Sequence, residues 1–157
     1  AWGQFESAKA CEFYRKKDPT RLVDHASGWV DQGSGDVNSF HIYFTPFMFP
    51  KYSKDDKRPI ALTEFGGYSM QLKEHSFNTE KFFGYRKYYT QEKFDEAIAN
   101  LYENRIYNCM KNKGLSAIIY TEVSDVEDEC NGLLTYDREI VKITPEVMKR
   151  ANDKLKY

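Results

Sequence analysis

The sequence predicts an α/β fold, a parallel βα array with right-handed connections in one domain spanning residues 1–157. Three observations carry this expectation. Short apolar runs of strand character alternate with segments of helical periodicity. Each run leads into a loop or a helix. One run, Ile60-Ala61-Leu62-Thr63, is almost wholly apolar, as in a parallel strand covered on both faces.

The elements follow in chain order. Phe5, Ala8, Cys11 and Tyr14 recur at helical spacing, and the segment stops before Asp18-Pro19, because the residue before proline disfavours the α region. Arg21–Ala26 reads as a first strand, and Ser27-Gly28-Trp29 with Gly33-Ser34-Gly35-Asp36 reads as a loop of turn residues. Phe40–Phe44 is a second strand, followed by a polar, proline-punctuated connection from Pro46 to Arg58. Ile60–Thr63 is the third strand, and a long loop runs from Gly66 to about Gln91, a length that compact domains keep mainly where loops carry function. Glu92–Lys113 is the clearest helix, with Phe94, Ile98, Leu101, Tyr102, Cys109 and Met110 on a 3.6-residue period and Gly114 as its C-cap. Leu115–Tyr120 is the fourth strand. After an acidic loop, Thr144 caps a last helix that begins with Pro145.

Composition narrows the function classes. With 23 basic against 24 acidic residues, nothing points to a nucleic-acid groove or a membrane surface, and no apolar run is long enough to cross a bilayer. Three separated cysteines, Cys11, Cys109 and Cys130, form no CxxC pair and are expected to be small buried hydrophobes in a reducing, cytoplasmic setting. No metal or cofactor is expected, and there is no glycine-rich phosphate loop after the first strand. The aromatic content is high, at 12 Tyr, 11 Phe and 2 Trp, which suits both a ring-rich core and a sugar-lined site.

In a parallel βα array, functional side chains gather at the C-terminal ends of strands. By position these are Ser27, Trp29 and Asp31; His41 and Tyr43; Glu64; and Tyr120 with Glu122. Glu64 is the sharpest, because a carboxylate directly follows an apolar strand and Gly66-Gly67 leave room beside it. His41 and Tyr43 are two apart and so share one strand face. Trp29, in a glycine-flanked loop, is the best candidate for stacking on a sugar. Glu74, Glu122 and Glu127 are expected to be loop or surface carboxylates. The run Asp125, Glu127, Asp128, Glu129 lacks an EF-hand pattern, and its carboxylates are expected to pair with Arg138 or Lys142 in preference to a cation.

Trp2-Gly3-Gln4-Phe5, Ser27-Gly28-Trp29-Val30-Asp31, Ser39–Tyr43, Leu62-Thr63-Glu64-Phe65-Gly66-Gly67-Tyr68 and Tyr120–Glu129 through Asn131–Arg138 occur in the order found in glycoside hydrolase family 2. The chain resembles that family of β-galactosidases, β-glucuronidases and β-mannosidases from about Trp2 to Lys142. The resemblance implies a (βα)4 half of a (βα)8 TIM barrel, strands five to eight. It also implies a retaining hydrolase of β-linked carbohydrates. In that likeness Glu64 is the nucleophile, Tyr43 hydrogen-bonds it and Tyr120 floors the sugar site; by their placement Trp29, Tyr68 and His41 are candidate substrate contacts, His41 alternatively orienting Tyr43.

Retention needs two carboxyls about 5–5.5 Å apart, one attacking the anomeric carbon and one serving as acid and then base. The family's acid/base glutamate directly precedes the stretch that Ala1-Trp2-Gly3-Gln4 resembles, so it is expected just before Ala1, outside this chain. The expected partners are therefore the N-terminal half of the same barrel and, for the fragment alone, a second copy in a dimer. Two other classes stand beside this one: a non-catalytic carbohydrate-binding or assembly module using Trp29, Tyr43, Tyr68 and Tyr120, and a separate open-sheet α/β enzyme.

Overall fold

The computed structural model describes residues 4–25, 28, 30–43, 47–48 and 55–156. It is a mixed α/β chain with small parallel sheets and flanking helices. Two compact units divide it, one holding residues 1–65 and 114–119, the other residues 66–113 and 120–157.

In the first unit, helix α1 (Ser7–Lys17) ends at Asp18 before Pro19, as the pre-proline restriction requires. It buries Ser7 and Cys11, whereas Phe5, Ala8 and Tyr14 stay exposed, so only one member of the predicted apolar stripe is covered. Strand β1 (Asn38–Ile42) pairs in parallel with β2 (Ile60–Gly66). In β2 Ile60, Ala61, Leu62 and Phe65 are all buried, which accounts for the nearly continuous apolar run.

Over the described part of the expected first strand, Arg21–His25, no strand forms: it has no ladder partner and is irregular. The Val23 backbone is satisfied locally instead: its N–H donates to Asp36 Oδ2 at 2.7 Å and its carbonyl accepts from the Asp36 N–H at 2.8 Å. The sheet order is β1-β2-β5, so β1, and not a strand at 21–26, lies at the edge among the described residues. Strand β5 (Leu115–Thr121) forms the other edge, and its Ser116, Ala117 and Ile119 are exposed.

The second unit has structure where the sequence suggests only a long loop. Strands β3 (Tyr68–Met70) and β4 (Arg86–Tyr88) form a two-stranded parallel ladder, with a short 3₁₀ turn at Lys73–His75 between them. The long helix is continuous but irregular: α2 (Gln91–Asn100), a π-helical stretch (Leu101–Ile106) and α3 (Tyr107–Lys113). Its apolar face buries Phe94, Ile98, Leu101, Tyr102, Ile106 and Cys109, and Gly114 follows at φ 72° as a left-handed C-cap. Helix α4 (Pro145–Lys154) starts with proline as expected. Thr144 does not cap it through its own side chain. Its hydroxyl donates instead to Asp95 Oδ2 at 2.5 Å and its N–H to Asp95 Oδ1 at 3.1 Å, which ties α4 to α2.

The three cysteines are buried and free. Lys142 is fully buried, with its ammonium donating to Asp125 Oδ1 at 2.6 Å, the Cys130 carbonyl at 2.9 Å and the Met70 carbonyl at 3.0 Å. Three acceptors replace the water that the ammonium loses, which is the condition for burying such a charge. The acidic loop is thus anchored through Asp125 to a lysine, in line with the pairing expected for it. No helix among the described residues is long and apolar enough to cross a membrane.

Gly66, expected to leave open room, is packed instead. A Cβ built there would lie 2.3 Å from the Tyr120 ring, and its φ of +93° disfavours any side chain. Gly33 has a φ of +72° with nothing within 4 Å, so it carries the backbone cost alone. Gly66→Ala should destabilise the chain by about 3 kcal/mol and Gly33→Ala by about 1 kcal/mol. Urea unfolding measures both, and equal losses would show that the Tyr120 ring does not occupy that space.

Candidate functional site

The geometry around Glu64 begins with the strand register. Phe40 pairs with Leu62, then the ladder skips one residue, and His41 pairs with Glu64. This irregularity turns Glu64 toward the same face as His41. Upstream, the entry to both strands is clamped. Arg58 donates to Asp31 at 2.5 Å and to Asp56 at 2.7 Å, and to the Ser34 carbonyl at 2.9 Å. The Asn38 N–H, at the start of β1, donates to the Pro59 carbonyl at 2.9 Å, just before β2. The Arg58 guanidinium holds the Asp56 carboxyl down at about 2, so the clamp stays charged at any ordinary pH.

At the site itself, the Tyr43 hydroxyl donates to Glu64 Oε2 at 2.7 Å, and His41 Nδ1 lies 3.1 Å from the same oxygen. The His41 side chain is 8% exposed and that of Glu64 is 44% exposed. Burial pushes the imidazole pKa down, against the pull of the Glu64 carboxylate. A neutral imidazole can serve Glu64 only as the Nδ1–H tautomer, so it orients the carboxylate without cancelling its charge. Among the described residues no partner engages Oε1 of Glu64. One oxygen is fixed by two groups, and the other is available for chemistry. The contact between Tyr43 and Glu64 is the one the family resemblance implies for this pair.

The remaining candidates lie elsewhere. Trp29, with Ser27, falls outside the described residues. Asp31 is taken by Arg58 and is also 3.3 Å from His25 Nε2. In the second unit, the Tyr120 ring covers Gly66 and lies 6.4 Å from the Tyr102 ring, and burial pushes its hydroxyl pKa well up. Tyr68 sits on β3 with its ring 5.5 Å from that of Tyr88 and the Arg86 guanidinium 5.7 Å from its centre.

Glu74 and Glu127 are exposed, as expected of loop carboxylates, but Glu122 is half-buried. Desolvation first, then the charges of Glu129 and Asp125, push its pKa up to about 7. Its Oε1 is buried with no hydrogen-bond partner among the described residues. Sequence reasoning missed this, because the surrounding acidic run suggests a solvated loop; the one available signal was its place directly after the apolar β5. His75, Asp137 and Glu139 have ligand atoms within 4.8 Å of one another, but His75 Nδ1 already bonds Asp137 Oδ2 at 2.7 Å, which explains the pair as a loop tether.

No protein-family model matches this chain, and no curated protein matches it.

The Glu122 shift has a direct consequence for stability. Its folded pKa is raised from 4.5 to about 7, so the folded state binds the proton more tightly than the unfolded state. Its contribution is complete below pH 4.5 and is lost as pH rises through 7. Glu122→Gln should therefore stabilise the protein at pH 8 but not at pH 4.5. The gain should be about 1 kcal/mol, discounted because the carboxyl is partly in solvent. Chemical denaturation at the two pH values measures this, and equal effects at both would contradict the assignment.

Proposed function

We propose that this chain is the nucleophile-bearing half of a retaining β-glycosidase, a (βα)4 segment corresponding to strands five to eight of a family 2 glycoside hydrolase barrel. The observation that carries this reading is the hydrogen bond of the Tyr43 hydroxyl to Glu64 Oε2, with His41 on the same oxygen. In this function, Oε1 of Glu64 attacks the anomeric carbon of a β-linked sugar. The new C–O bond forms as the glycosidic C–O bond breaks, and the leaving oxygen takes a proton from an acid on the complementary half of the barrel. The same group then removes a proton from water, which attacks the anomeric carbon and releases Glu64. Two inversions give net retention.

The two groups on Oε2 serve both steps. They fix the carboxylate so that little orientation remains to be lost in the transition state. Their hydrogen bonds to Oε2 weaken as Glu64 loses its charge in the ester and strengthen as that charge returns on departure. Strand β5, at a sheet edge with Ser116, Ala117 and Ile119 exposed, is where the complementary half or a second copy of the chain would pair.

The chain alone should hydrolyse unactivated β-glycosides at least about 10²–10⁴-fold below the complemented barrel, because the acid is supplied by the other half. In the complemented protein, Glu64→Gln should abolish turnover. Tyr43→Phe should lower kcat by about 10–100-fold, the effect of one hydrogen bond to a charged group. Steady-state kinetics on aryl and disaccharide β-glycosides measure all three. Undiminished turnover by Glu64→Gln would sink the reading.

A further inference from the structure

The second unit contains a groove between the β3–β4 ladder and α2. Its floor is the β3–β4 ladder, in which Tyr68 pairs with Arg86 and Met70 with Tyr88. Because side chains alternate along a strand, Arg86 and Tyr88 share one face, and Tyr68 joins them across the ladder. The opposite wall is one stripe of α2, where Lys93, Glu96 and Asn100 are spaced as neighbours on a helix face. Between them lies an open cavity of about 440 Å³.

The composition of this groove is specific. The rings of Tyr68 and Tyr88 meet at 51° with centres 5.5 Å apart, so they form an angled aromatic corner and not a stack. The Arg86 guanidinium lies against Tyr68, 5.7 Å from its centre. Lys93 faces it from the helix, and neither cation forms an ion pair with another described residue. Glu96 is the single carboxylate in the lining, so two cations against one anion leave a net charge of +1. Asn100 Oδ1 accepts from Asn104 Nδ2 at 2.7 Å, which leaves its amide N–H groups to donate. Burial also pushes the Tyr88 hydroxyl pKa up, which marks this wall as partly shielded from water.

We propose that this groove binds a sugar carrying a carboxylate or sulfate. The anion sits between Arg86 and Lys93, and the ring rests against the Tyr68–Tyr88 corner. Aromatic faces take the apolar side of a pyranose ring, two cations select a negative substituent, and the Asn100 amide reaches ring hydroxyls. The choice of a sugar over another ring-bearing anion rests on the glycosidase reading; the requirement for a negative charge rests on the groove alone.

Calorimetric titration of the 157-residue chain with D-glucuronate, D-glucose 6-sulfate, D-glucose and benzoate tests this. Both anionic sugars should bind saturably, with glucose at least about tenfold weaker, the effect of one lost charge-assisted contact. Arg86→Gln and Lys93→Gln, both at exposed positions, should each weaken the anionic sugars about tenfold and reduce the salt dependence. Glu64→Gln should leave binding unchanged. The inference is overturned if neither anionic sugar binds, if glucose binds equally, if benzoate binds while both sugars do not, or if both groove substitutions are without effect. Loss of binding in Glu64→Gln alone would place the sugar at Glu64, removing the groove while leaving the glycosidase reading intact. Groove binding without any covalent capture at Glu64 would do the reverse.

Discussion

Two side chains at the end of one strand reach a single oxygen of a carboxylate on the next strand, and this convergence on Glu64 Oε2 sets demands on everything around it. His41 and Tyr43 can both arrive there only if the β1–β2 ladder shifts by one residue after Phe40, so that Thr63 is passed over and Glu64 stands opposite His41. That shift is held from the strand entries. Arg58 bridges Asp31 and Asp56, and Asn38 joins the Pro59 carbonyl, so the start of each strand is fixed before the irregularity occurs. The buried run Ile60, Ala61 and Leu62 then fixes the face on which Glu64 emerges. A one-residue slip would turn it away from both partners.

Proton affinity varies sharply among the carboxyls of this chain, and the cause in each case is the supply of partners. Asp56 has a guanidinium and a backbone N–H on its oxygens and is held at about 2. Asp125 is deeply buried, and desolvation raises its pKa; the Lys142 ammonium and the Gly132 N–H oppose that shift. Glu122 has burial and like-charged neighbours but no partner on Oε1 among the described residues, so it is pushed up to about 7. Within the acidic segment from Glu122 to Glu129 the same contrast separates Asp125, anchored by Lys142, from Glu122, which lacks such a partner, and from the exposed Glu127 and Glu129.

The sequence made the strongly periodic elements legible and hid those decided by long-range partners. The helix over Glu92–Lys113 was readable from its apolar stripe, although nothing in that stripe signals the π-helical stretch at Leu101–Ile106. The β2 and β5 runs were readable from their apolar continuity. Arg21–Ala26 has equally suitable residues, yet Asp36 captures the Val23 backbone and no strand forms over Arg21–His25. Strands β3 and β4 have three residues each, too short for any period to show, and they exist because they pair with one another. At the site, spacing alone put His41 and Tyr43 on one face, and the resemblance named the Tyr43–Glu64 pair. The convergence of His41 on the same oxygen depends on the register shift, which has no local signature. Gly66 misled in the other direction: two glycines in sequence suggest empty space, and a distant residue, Tyr120, fills it.

Covalent capture of Glu64 tests the account most directly. A 2-deoxy-2-fluoro β-glycoside with a dinitrophenolate leaving group needs no acid to protonate the departing oxygen, and its fluorine slows hydrolysis of the glycosyl ester, so the attacking carboxylate stays labelled. After incubation with the complemented protein, proteolysis and tandem mass spectrometry locate the added mass. It should lie on Glu64, with capture slowed about 10–100-fold in Tyr43→Phe. Label on Glu122 or any other carboxylate, with Glu64 unmodified, would contradict the assignment of the nucleophile.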